Sequence, residues 1–133
     1  MALDKPYLDI PGTTIFDSDM ARQGYPVNQF CMSLMSPENR EKFRADEAAY
    51  LDDWSVSAEQ RQAILACDYN GLLKLGGNIY YLAKLIALDG HSFQYAAALM
   101  SDMPEDDYRN MMINGGRSHE GNLYERNLYE GEE

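Results

Sequence analysis

The sequence predicts an all-α fold: a single compact multi-helical domain with an extended arm at each end. Three observations predict it. Apolar residues recur at helical spacing, and no pair of segments alternates with the period of two that a strand ladder requires. Helix caps punctuate the chain, with Ser, Asp or Pro before apolar runs and Gly after them. Finally, 133 residues with 45% hydrophobic content suffice for one domain with its own core. The boundaries expected are an N-terminal arm over 1–16, a helical domain over 17–116 and an acidic tail over 117–133.

The arm carries turn chemistry, Asp9-Ile10-Pro11-Gly12-Thr13-Thr14, and no helical period. Asp17 and Ser18 are placed to cap a short helical turn ending near Gly24. From Pro26, Val27, Phe30, Cys31, Leu34 and Met35 fall on one apolar face. Ser36-Pro37 starts a second helix, Ser as N-cap and Pro at the first helical position. It is expected to run to about Asp52, with Phe43, Tyr50, Leu51 and Trp54 inward and Glu38, Arg40, Glu41, Lys42, Arg44 and Asp46 on a charged outer face.

Ser57-Ala58-Glu59-Gln60 is a capping box that opens a third helix through Cys67, with Ile64, Leu65 and Cys67 as core candidates. Asp68 caps Tyr69 to Leu75, and Gly76 ends that helix in a left-handed conformation. Ile79 to Leu88 is apolar on nearly every side except Lys84, as expected of a central helix, with Tyr80 and Tyr81 read as core. Asp89-Gly90 stops it, and Ser92 caps Phe93 to Met100. Pro104 opens a last helix whose Glu105, Asp106 and Asp107 complement the helix dipole, and Gly115-Gly116 ends it. The total expected is six to seven helices.

The tail repeats Asn122-Leu123-Tyr124-Glu125 as Asn127-Leu128-Tyr129-Glu130. It reads either as a solvated acidic segment or as an arm whose Leu and Tyr side chains dock on a partner.

Eleven basic residues against 22 acidic ones give a net charge of -11. That disfavours nucleic acid and anionic membranes, both of which need clustered Lys and Arg. The longest apolar stretch is too short to span a bilayer, and the N-terminus lacks the pattern of a signal peptide. A cytoplasmic location is therefore expected, with Cys31 and Cys67 reduced and buried.

No self-sufficient active site is legible. Nucleophile-elbow, phosphate-loop, dinucleotide and zinc-protease motifs are all missing. A two-His-one-carboxylate iron site would need both histidines, His91 and His119, and neither has a partner at ligand spacing. No catalytic and no metal-binding residue is therefore assigned. His91, between Gly90 and the N-cap Ser92, is either a surface residue or one presented to a cleft. Phe93 is either core or a side chain projecting from a helix start into a neighbouring subunit.

Several blocks carry a family resemblance: Asn28-Gln29-Phe30-Cys31-Met32-Ser33-Leu34-Met35, Glu38-Asn39-Arg40-Glu41-Lys42-Phe43, Ala45-Asp46-Glu47 with Tyr50-Leu51-Asp52, Gly76-Gly77-Asn78-Ile79-Tyr80, Asp89-Gly90 with Ser92-Phe93-Gln94, and Met111-Met112 with Gly115-Gly116-Arg117-Ser118. Together they resemble the small α subunit of protocatechuate 4,5-dioxygenase, roughly from Ile10 to Ser118.

The resemblance implies an α2β2 extradiol ring-cleaving dioxygenase. In it Fe(II) and the catalytic base belong to the large β subunit, and the helical α subunit covers the mouth of the active site. It implies that Phe93 lines the substrate pocket for a dihydroxybenzoate, with His91 nearby, where relatives carry Lys. Related subunits serve gallate and other catechol-type substrates. The alternatives are a stand-alone helical binding module, which would need no β chain, and an independent metalloenzyme, which would need His91 and His119.

Overall fold

The computed structural model describes residues 4–9 and 14–116. Among the described residues there is one 3-10 helix, Pro6–Asp9, and nine α-helices. These are α1 (Ser18–Gln23), α2 (Tyr25–Ser33), α3 (Pro37–Ala45), α4 (Glu47–Leu51), α5 (Ala58–Leu65), α6 (Tyr69–Lys74), α7 (Ile79–Leu88), α8 (Phe93–Met100) and α9 (Glu105–Ile113). The expected all-α class holds. The count exceeds six to seven chiefly because the second predicted helix is two. The chain turns extended at Asp46, whose side chain accepts from the Ala49 amide and so starts α4. A residue that ends one helix and caps the next has no periodicity signal of its own.

The caps read from sequence form at Asp17, Asp68 and Ser92, and both halves of the Ser57/Gln60 capping box are made. Ser36 takes the extended N-cap conformation but makes no side-chain cap bond. The arm differs from its extended reading. Pro6–Asp9 coil into a single turn, and Lys5 pins it to α1 through Asp17 at 2.7 Å and Asp19 at 2.5 Å.

The core is centred on α2 against α7. Val27, Phe30, Cys31 and Leu34 meet Leu82, Leu85 and Ile86, all at most 2% exposed. Phe30 stands at the centre of an aromatic cluster, edge-on to Phe43 at 5.2 Å, Tyr50 at 5.9 Å and Trp54 at 6.2 Å. That geometry places ring edges over ring faces, the electrostatically favoured arrangement. The Tyr50 hydroxyl reaches Ser33 Oγ at 2.7 Å.

Four core expectations fail. Met35 lies past the end of α2 and is exposed. Leu65 and Cys67 are exposed as well, because α5 ends there and Cys67 turns left-handed at φ 55. Tyr80 is exposed, whereas Tyr81 is half-buried and packs against the core as expected. A ten-residue helix packed against α2 and α8 still leaves one side to solvent, and Lys84 sits over the Tyr80 ring at 4.0 Å on that side.

Two buried amides fix how the helices cross. Gly24 and Gly76 approach backbone to backbone: a Cβ at Gly24 would stand 1.7 Å from the Gly76 carbonyl oxygen. Asn28 closes this contact, its Nδ2 donating to Gly76 O at 3.2 Å and its Oδ1 accepting from the Asn78 amide at 3.0 Å. Gln60 accepts from the Ser57 amide and donates to the carbonyls of Gln23 and Leu75. Among the described residues no buried side-chain polar atom lacks a partner.

Candidate functional site

The turn between α7 and α8 positions the side chains singled out from sequence. α7 closes on itself in a C-terminal motif: Gly90 N donates to Ala87 O, and His91 N to Ile86 O. The motif needs a left-handed residue, and Gly90 supplies φ +88. Ser92 Oγ then accepts from the Tyr95 amide at 3.0 Å and starts α8. With both helix ends capped, the five residues from Asp89 to Phe93 form a hydrogen-bonded turn.

Phe93 is the first residue of α8 and is 60% exposed. The structure excludes the core reading and leaves the side chain exposed at the helix start. His91 is half-buried. Its imidazole stacks on Tyr95 at 4.2 Å and meets the edge of Tyr69 at 6.5 Å.

Beside this turn lies a polar cluster that sequence reasoning missed. The buried Tyr69 donates its hydroxyl to Asp89 Oδ2 at 2.5 Å, and Cys67 Sγ reaches the same oxygen at 3.7 Å. Burial first, and then the bond to Asp89, push the Tyr69 hydroxyl well above its ordinary value, so it remains a donor. Partial desolvation and the negative charge of Asp89 also raise Cys67 and Glu47. The Cys67 thiol is therefore protonated at neutral pH and is no nucleophile. Burial pushes Cys31 up to about 12, which makes it inert as well. Tyr69 and Asp89 are 20 residues apart, and no local pattern links them.

Chemically, the site offers an exposed aromatic ring, a stacked imidazole and a carboxylate already holding a phenol proton. Among the described residues no group of three or more His, Cys, Asp or Glu is placed to hold a metal. His119 and the repeated Asn-Leu-Tyr-Glu tail lie outside the described residues. The arrangement suits packing against a ligand or a protein surface; it contains no activated nucleophile.

Comparison with known proteins bears on what that surface meets. The family described as aromatic-ring-opening dioxygenase LigAB, LigA subunit, matches residues 27–113, which includes the whole of this turn. A 99-residue stretch, 74% of this chain, is 25% identical to gallate dioxygenase of Pseudomonas putida KT2440. It covers 29% of that relative, so the chain spans under a third of the gallate enzyme's length.

Proposed function

Because this chain belongs to the LigA-subunit family of aromatic-ring-opening dioxygenases, we propose that it is the non-metal-binding α subunit of an extradiol dioxygenase of the protocatechuate 4,5-dioxygenase type. In this reading it covers the active site of a separate β subunit in an α2β2 cytoplasmic enzyme. The observation that carries the reading is Phe93: a large apolar side chain held 60% exposed at the capped start of α8. At that exposure the phenyl group forgoes about 1–2 kcal/mol of burial, and a partner's pocket would recover it.

The Fe(II) of such an enzyme would be held by the β subunit and would supply the oxygen chemistry. The part of this chain is to pack Phe93, with His91 behind it, against a dihydroxybenzoate and to keep water from the far side of the pocket. A gallate-type substrate is the second reading, favoured by the 25% identity to gallate dioxygenase; the ring specificity would follow the β subunit.

The test is co-expression with an iron-bearing β chain, followed by oxygen uptake with protocatechuate and with gallate. The complex should cleave one of these rings, and this chain alone neither. Phe93→Ala should leave its folding intact and raise KM by about tenfold, the worth of one lost apolar contact. Ring cleavage by the isolated chain, or failure of the two chains to associate, would refute the reading.

A further inference from the structure

A second feature lies between the end of α2, the outer face of α3 and the last turns of α7: a cleft of about 460 Å³. Its lining includes three cations, Arg40, Arg44 and Lys84. Leu34, Met35, Ala87 and Leu88 supply its apolar lining, and none of the lining residues is acidic. In a chain of net charge -11 that composition calls for a reason.

Among the described residues, Lys5, Arg22, Arg61 and Arg109 each pair with a carboxylate, and Lys42, Lys74, Arg40, Arg44 and Lys84 do not. Lys42 and Lys74 stand apart on the exposed surface, whereas Arg40, Arg44 and Lys84 line one cleft. They are held in place by backbone carbonyls instead. Arg40 Nη1 donates to Leu34 O and Met35 O, Arg44 Nη2 to Leu88 O, and Lys84 Nζ to Tyr80 O.

Those contacts orient the cations without neutralising them. A helix C-terminus carries about half a negative charge, so the ends of α2 and α7 together offset only one of the three positive charges. The donor inventory agrees. A guanidinium has five N–H groups and an ammonium three. These contacts leave Arg40 Nε and Nη2 and most of Arg44 unused, while the Lys84 ammonium also faces the Tyr80 ring at 4.0 Å. Arg40 and Lys84 are half-buried, which limits the screening they undergo.

We propose that this cleft binds an organic carboxylate with an apolar body of single-ring size, its anion taken by Arg40, Arg44 and Lys84 and its body by Leu34, Met35, Ala87 and Leu88. The volume falls within the range of small-ligand sites. The fork of a guanidinium matches a carboxylate in two parallel hydrogen bonds. Met35, 60% exposed, is a flexible thioether able to close over a ring. The carboxylate belongs either to a free acid or to an acidic side chain of a partner protein.

The experiment titrates the isolated full chain with benzoate and with its neutral isostere benzamide at low ionic strength, following backbone amide shifts. Benzoate should bind saturably with Kd of about 1 mM, moving the amides of Leu34, Arg44 and Leu88. Benzamide should bind at least about tenfold more weakly.

Arg44→Gln and Lys84→Gln should keep the wild-type melting temperature and each weaken benzoate about fivefold, the double variant abolishing saturation. Arg40 is left intact because it bonds two carbonyls at the end of α2, whereas Arg44 makes a single exposed contact at 3.4 Å. Repeating the titration on the complex with the β chain separates the sources: unchanged affinity assigns the site to a free acid, and lost affinity to a carboxylate of the partner. Equal binding of benzoate and benzamide, shifts mapping elsewhere, or wild-type affinity in the folded double variant would overturn the proposal. None of these outcomes depends on dioxygenase activity, so the proposal can fail while the subunit reading stands.

Discussion

Replacing Gly24 with Ala tests the account of the helix crossing most severely. Gly24 has φ -90 and ψ 1, a conformation alanine adopts freely, so no backbone strain enters. The cost is purely steric. The new Cβ would lie 1.7 Å from Gly76 O and 2.2 Å from Gly76 C. These are backbone atoms, and no rotamer change relieves the overlap. Restoring van der Waals contact forces the α1–α2 junction and the Gly76 loop apart by roughly 1.5–2 Å. That stretches the Asn28 bonds to Gly76 O and Asn78 N, at about 1–2 kcal/mol each for buried partners. Repacking the strained contact adds about 1–3 kcal/mol.

A loss of about 4 kcal/mol follows for Gly24→Ala. With unfolding entropy near 2.1 cal/mol/K per residue, a chain of this size should melt about 10–15 °C lower. Gly90→Ala is the control. A Cβ there meets nothing within 4 Å, but φ is +88. Only the left-handed penalty applies, about 1–2 kcal/mol, or roughly 4–7 °C. Calorimetric melts of the two variants decide the matter. If Gly24→Ala is no more destabilised than Gly90→Ala, the close crossing is not what sets the α1–α2 geometry.

Three further outcomes are expected. Gln60→Glu turns the amide that donates to Gln23 O and Leu75 O into an acceptor facing two carbonyls; it should cost about 3 kcal/mol at pH 7 by urea denaturation and recover part of that in acid, where the carboxyl can donate. Cys67→Gly removes a side chain from a left-handed position at φ 55 and should raise stability by about 1 kcal/mol, with an equal or lower melting point refuting the strain. Glu47 is held above its ordinary 4.5 by desolvation and by Asp89. The folded state therefore holds its proton more tightly, and Glu47 subtracts stability as pH rises through the folded value. Glu47→Gln should melt higher than wild type at pH 7 and lose that advantage below about pH 4, as a pH series of melts would show.

The helices were legible where one local rule sufficed. Val27, Phe30, Cys31 and Leu34 announce a buried face by spacing alone. Ser57 with Gln60 announces a cap, and Gly90 a left-handed stop. Failures came where a residue serves two elements or sits just past an end. Asp46 splits one expected helix because its side chain bonds the backbone of the next. Cys67 and Met35 lie beyond the last turns of α5 and α2, where the helical period no longer says which way a side chain points. Arg40 and Arg44 read as a solvated face, since spacing on α3 cannot reveal that Lys84 of α7 joins them across a cleft.

The sequence by itself determined the helical class, the order and capping of most elements, the net charge and the position of Phe93 at a helix start, because each depends on residues within about four of one another. Tertiary structure alone decided that Phe93 is exposed rather than core. It also brought Gly24 against Gly76, Tyr69 to Asp89, and Lys84 to the arginines of α3. Those pairs are separated by 20 to 52 positions. What joins them is the burial of α2 against α7, a global minimum of exposed apolar surface that no local window records.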